Sequence, residues 1–98
     1  MDAPGGGMGM QRLRAVVRGR VQGVGFRYSV LEIARRAGLR GFAENRPDGS
    51  VFVLAEGPPD QLDELEKFLH TGPGFARVTA VEADRSEATG EFDGFVAR

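Results

Sequence analysis

Two periodicities meet across one short glycine-rich stretch. From Leu13 to Val17 the apolar residues Leu13, Ala15 and Val17 alternate with Arg12, Arg14 and Arg18. Beyond it, Phe26, Val30, Ile33, Ala34 and Ala37 recur at helical spacing, and Gly38 suits a helix stop. A change of period from two to about 3.6 dictates a half-buried strand, a loop and then a helix, the helical run covering Tyr28 to Ala37. The loop between them is Gly19-Arg20-Val21-Gln22-Gly23-Val24-Gly25-Phe26-Arg27. Its three glycines accept positive φ cheaply, so successive backbone N–H groups can turn toward one point. Converging amides that feed a helix N-terminus form an anion site. Arg27 adds a planar five-donor fork suited to a phosphate or carboxylate. The same spacing also fits an ordinary strand-to-helix connection with a structural arginine. No Gly-Lys-Ser/Thr follows, so the loop is not a Walker A motif. No parallel βαβ unit surrounds it, so it is not a dinucleotide fingerprint either.

The rest of the chain sets the architecture. Leu39 to Glu44 and Val51 to Ala55 read as strands joined by the turn Arg46-Pro47-Asp48-Gly49. Gly57-Pro58-Pro59-Asp60 opens a second helix, with an apolar stripe of Leu62, Leu65, Phe68 and Leu69. Gly72-Pro73-Gly74 ends it. Arg77 to Ala83 is a fourth strand, Ser86 to Glu91 a polar loop, and Phe92 to Arg98 a short last strand. Two helices with one apolar face each can cover only one side of a sheet. The βαββαβ order predicts an α+β fold, the ferredoxin-like α/β sandwich. Its antiparallel sheet has four to five strands, with both helices on one face. Residues 1–10 lack periodicity and are expected to be a disordered tail, leaving 11–98 as the single domain.

Composition removes several function classes. The 98 residues contain no cysteine, which excludes disulfides, thiolate metal sites and a cysteine nucleophile. A single histidine, His70, excludes a multi-histidine metal site within one chain. A net charge of −1 gives no argument for nucleic acid. No stretch is apolar enough for a membrane span and no signal peptide is evident, so a cytoplasmic protein is expected. Taken singly, the remaining polar residues have plain structural readings. Asn45 and Asp48 suit turn chemistry, His70 a solvated helix end, and Gln22 a structural hydrogen bond. Tyr28 and Phe26 suit packing, and Arg12, Arg14 and Arg18 a solvated strand face. A cation at a helix start opposes the helix dipole, so Arg27 favours a bound anion.

The segment Gly19–Arg27 resembles the signature of the acylphosphatase family. Gly41-Phe42-Ala43-Glu44-Asn45-Arg46-Pro47-Asp48-Gly49-Ser50-Val51 is similar to that family's second motif, and Phe95–Arg98 to its closing strand. The likeness extends over Leu13–Arg98. Phe42 stands where the family most often has tryptophan, and Glu44 where a basic residue is common. The resemblance implies hydrolysis of a carboxyl–phosphate anhydride without metal or organic cofactor; separately, a monomer is expected. Arg27 would bind the substrate, and Asn45 would position the attacking water. The amides of Arg20, Val21, Gln22, Gly23, Val24, Gly25 and Phe26 would cradle the phosphate. Inorganic phosphate or sulfate would occupy the same site.

Elementary chemistry agrees with that activity. A phosphate monoester needs a general acid, a metal or a covalent nucleophile to expel an alkoxide. An acyl phosphate expels a carboxylate, whose conjugate acid has a pKa of about 4, so no proton need be delivered. Positioning and charge stabilisation then suffice. Two other readings keep the same topology: a phosphate- or carbamoyl-phosphate-handling module of a larger enzyme, and an RNA-binding domain. RNA-binding sheets of this kind carry aromatics on their central strands, whereas the first strand here carries arginines.

Overall fold

The computed structural model describes residues 9–98; of the tail expected over 1–10, residues 1–8 lie outside the described region. The elements are β1 (Gln11–Arg20), α1 (Phe26–Arg36), β2 (Arg40–Asn45), β3 (Val51–Gly57), α2 (Pro59–Leu69), β4 (Arg77–Glu87) and β5 (Phe95–Ala97). They form a five-stranded sheet in the order β4-β1-β3-β2-β5. The four longer strands pair antiparallel, giving the ferredoxin-like α+β sandwich read from the sequence. The departure is β5, which pairs parallel with β2. Its direction follows from the path of the chain. After β4, on one edge, residues 88–94 cross beneath the end of the sheet and enter beside β2 on the far edge.

One face of the sheet carries both helices. Leu13, Ala15 and Val17 of β1, with Val51, Val53 and Ala55 of β3, point into this core and are fully buried. Helix α1 meets them with Phe26, Val30 and Ala34, and α2 with Leu62, Leu65 and Leu69. Each buried leucine contributes about 2 kcal/mol of transfer free energy. Pro58 caps α2 from an extended conformation and Pro59 fills the first turn, where a missing N–H costs nothing. Gly41 is required by closeness: a Cβ there would run into the carbonyl oxygen of Leu54 on β3.

On the helix-free face Arg14 and Arg18 are exposed, as expected, whereas Arg12 is largely covered and the face also carries apolar residues. Phe42, Phe52 and Leu54 form a second apolar cluster there, with Val16 and Phe92 against it. Arginines roof the cluster. The Arg98 guanidinium lies 3.5 Å from the Phe42 ring centre and Arg46 lies 4.0 Å from Phe52, with Arg14 over Phe52 and Arg12 over Phe92 farther out. Such stacks combine stem burial with cation–π attraction. Phe92 therefore belongs to this cluster and not to a strand, and β5 is only three residues long. Likewise Ser86 and Glu87 continue β4 through pairing with Arg12 and Gln11, so the loop expected over Ser86–Glu91 begins two residues later.

Candidate functional site

The loop between β1 and α1 is held at both ends. A register shift between Arg18 and Gly19 interrupts the pairing with β4, which resumes at Gly19–Val78 and Arg20–Arg77, and a Cβ on Gly19 would strike the Arg77 carbonyl oxygen. Val21 is buried and pins the chain as it leaves the sheet. Gly23 and Gly25 have φ of 75° and 80°, a region that strains any residue with a side chain. Phe26 then anchors the start of α1, its ring centre 6.1 Å from that of Phe68.

This geometry leaves the amides free. No N–H from Gln22 to Tyr28 donates to another backbone group among the described residues; the first donor beyond the loop is Ser29, to the Gly25 carbonyl at 3.0 Å. Helix α1 has no side-chain cap and no acidic residue in its first turn. Its N-terminal partial positive charge is thus uncompensated by the protein.

A second loop is tied to the first. The Gln22 side-chain amide donates to the Arg46 carbonyl at 2.7 Å and to the Ser50 carbonyl at 2.8 Å. Those carbonyls belong to the turn between β2 and β3, which immediately follows Asn45. Asp48 organises that turn by accepting from the Ser50 hydroxyl at 2.6 Å and its amide at 2.9 Å. The Ser50 hydroxyl, then its amide, and then Arg18 pull the Asp48 carboxyl down to about 2. A carboxylate so stabilised is a poor base near neutrality and is a turn former, as its sequence context indicates.

Asn45 is the last residue of β2, opposite Val51 in the ladder, and is exposed. Its side chain makes no hydrogen bond with the described residues. Arg27 lies in the first turn of α1 and donates from Nη1 to the backbone oxygen of Arg98 at 3.3 Å. Arg98 in turn donates its amide to the Ala43 carbonyl at 2.8 Å and its Nε to Glu44 at 3.2 Å. The ends of α1, β2 and β5 therefore converge, with Arg27 linked through Arg98 to the strand that carries Asn45.

Among the other residues weighed from sequence, Phe26 packs as expected, whereas Tyr28 is 74% exposed and does not. His70 is exposed at the C-terminal cap of α2. Arg98 is the residue at this junction that sequence reasoning misses; its place at the end of the closing strand is the available signal.

A profile of the Acylphosphatase family matches residues 13–97. The acylphosphatase of Deinococcus radiodurans is 53% identical over 79 residues, spanning 81% of this chain and 91% of its own. That of Thermus thermophilus is 51% identical over 81 residues, spanning 83% and 92%. The crystal structure of the acylphosphatase from Bacillus subtilis superposes with a TM-score of 0.85 at 38% identity, over 90% of this chain and 98% of that one. Agreement in sequence and fold over nearly the whole described region places this chain in the acylphosphatase family.

Proposed function

We propose that the protein hydrolyses acyl phosphates to a carboxylate and inorganic phosphate at the β1–α1 loop. The observation that carries this is the row of unpartnered amides from Gln22 to Tyr28 running into Arg27 at an uncapped helix start. The phosphoryl oxygens sit among those amides and those of Arg20 and Val21, with the Arg27 guanidinium beside them. These donors match the charge that spreads over the equatorial oxygens in a loose transition state.

Asn45 holds the attacking water through its side-chain amide. The water oxygen bonds to phosphorus as the bond from phosphorus to the bridging oxygen breaks. The bonding pair leaves with the acyl carboxylate, and the water proton passes to a phosphate oxygen. Asp48, whose carboxyl is held well below its ordinary range, is not asked to take it.

No metal is required in this scheme. The protein acts as a cytoplasmic monomer on a small-molecule substrate, and inorganic phosphate or sulfate competes for the same amides. An RNA-binding role draws little support from the open sheet face. Phe42 and Phe52 are only 7% and 6% exposed beneath their arginines, and so offer no platform for stacked bases.

Purified protein given benzoyl phosphate, with and without EDTA, tests the proposal. Hydrolysis that chelation leaves unchanged is expected. No hydrolysis, or hydrolysis abolished by EDTA, would overturn it.

A further inference from the structure

Helix α1 carries a second arginine in line with the first. Arg27, Leu31 and Arg35 are spaced i, i+4 and i+8, so they share one stripe of the helix. That stripe lies against the edge strand β5. Arg27 reaches the backbone oxygen of Arg98 at one end, and Arg35 Nε donates to the Phe95 carbonyl at 3.1 Å at the other. Between these two bridges a groove of about 310 Å³ opens, floored by Leu31, Val96 and Ala97 and walled by the exposed Tyr28. Among the described residues neither arginine pairs with an Asp or Glu side chain, although the neighbouring Arg36 pairs with Glu32 at 3.4 Å.

The chemistry of this groove is cationic at both ends and aliphatic between. We infer that it receives the acyl end of the substrate and selects acyl phosphates whose short aliphatic chain ends in a second carboxylate. The inference rests on Arg27 meeting the phosphoryl group, as proposed above. The chain then runs from Arg27 over Leu31, Val96 and Ala97, and its far carboxylate meets the Arg35 fork. The scale is suitable. The two strand oxygens that the arginines hold are three residues apart, roughly 10 Å along an extended backbone. A four-carbon diacid monophosphate bridges two guanidinium heads held at that spacing. An alkyl chain of the same length fills the floor equally well but leaves Arg35 without an anion.

Succinyl phosphate and butyryl phosphate make the test, because they match in length and differ only in the terminal group. Acetyl phosphate reports on the phosphoryl end alone. The wild-type protein is expected to favour succinyl over butyryl phosphate by about fivefold or more in kcat/KM, mainly through KM, as a partly exposed arginine–carboxylate pair allows. Arg35→Gln keeps a donor for the Phe95 carbonyl but loses the charge, and should bring the ratio to about one. Arg35→Lys should give a ratio between the two. A wild-type ratio near one, or a ratio that Arg35→Gln leaves in place, overturns the groove assignment while acetyl phosphate turnover leaves the phosphoryl site standing. Failure to hydrolyse any of the three sinks both.

Discussion

Gln22 and Arg46 are 24 residues apart, yet the side-chain amide of the first donates to the carbonyl of the second at 2.7 Å. This bond, with its companion to Ser50, fixes the amide-bearing loop against the turn that follows Asn45. Gln22 is thereby a positioning residue: its side chain faces the second loop, while its backbone N–H remains free. Gln22→Ala removes one donor from each of two carbonyl oxygens, which keep their backbone donors Gly49 and Arg46, a cost of about 1–2 kcal/mol, and frees the loops to drift relative to each other. Displacing a catalytic geometry by even an ångström is expensive, so kcat should fall about tenfold or more. Gln22→Glu should be worse, since a carboxylate cannot donate to those carbonyls. Steady-state kinetics beside a thermal melt checks this. A variant that melts earlier but turns over normally when folded would reduce Gln22 to a structural tie.

Arg27→Lys keeps the charge and removes the fork. A lysine ammonium at this place can meet one oxygen but not two in a plane. Both phosphate inhibition and turnover should weaken, with kcat/KM down by about a hundredfold or more, in line with loss of a transition-state donor. Inhibition constants for inorganic phosphate and kcat/KM for benzoyl phosphate, measured on the same preparation, decide the matter. Near-normal values for both would remove Arg27 from the site.

Asn45 divides the labour differently. Its side chain bonds to no described residue, and its strand position is fixed by the backbone ladder to Val51. Asn45→Ala should therefore fold normally and bind phosphate with little change, yet lose about a hundredfold in kcat through loss of the oriented water. Equal loss of phosphate affinity would show that Asn45 holds the ligand instead.

The parts of this molecule legible in its sequence are those where one element carries its own signal. Phe26, Val30 and Ala34 recur at helical spacing and are the residues α1 buries. Leu13, Ala15 and Val17 alternate and are the face β1 buries. The loop glycines and Asn45 were legible as members of two ordered motifs. What stayed hidden depended on a partner far along the chain. The contacts of Arg12 and Arg14 on β1 have no local signal because their partners Phe52, Glu56 and Phe92 lie on other strands and in the final loop. The end of β4 looked like a loop because an edge strand with little to bury shows no alternation. The bond from Gln22 to Arg46 and that from Arg27 to Arg98 have no local signature at all.

The opposite end of the sheet predicts a stability effect separable from activity. Glu56 of β3 is 3% exposed and accepts from Arg12 Nε at 2.7 Å, from the amides of Thr89 and Gly90, both at 2.9 Å, and from the Thr89 hydroxyl. It clamps the crossing segment that delivers β5 to its edge. Burial by itself would raise its carboxyl pKa. The Thr89 and Gly90 amides, Arg12 and the Thr89 hydroxyl together outweigh that and bring it from 4.5 to about 2. A folded-state value below the unfolded one means that ionised Glu56 favours the native state. That contribution is complete above about pH 4.5 and drains away as the pH falls toward 2. Asp48, lowered from 3.8 to about 2, acts in the same direction. Glu56→Gln removes the buried charge and leaves Arg12 with only the exposed Glu91 as an anionic partner, costing about 2–3 kcal/mol at neutral pH. For a domain of this size that is a fall in Tm of roughly 10–20 °C. The Tm of the variant should also lose much of its dependence on pH between 5 and 2. Hydrolysis at 25 °C should stay at the wild-type rate, because Glu56 pairs across the sheet with Arg12 and Arg40, at the end away from Asn45. Melting curves of both proteins over that pH range, with kcat at neutral pH, test the claim. A variant whose acid-induced loss of stability matched that of the wild type would assign the effect to other carboxylates.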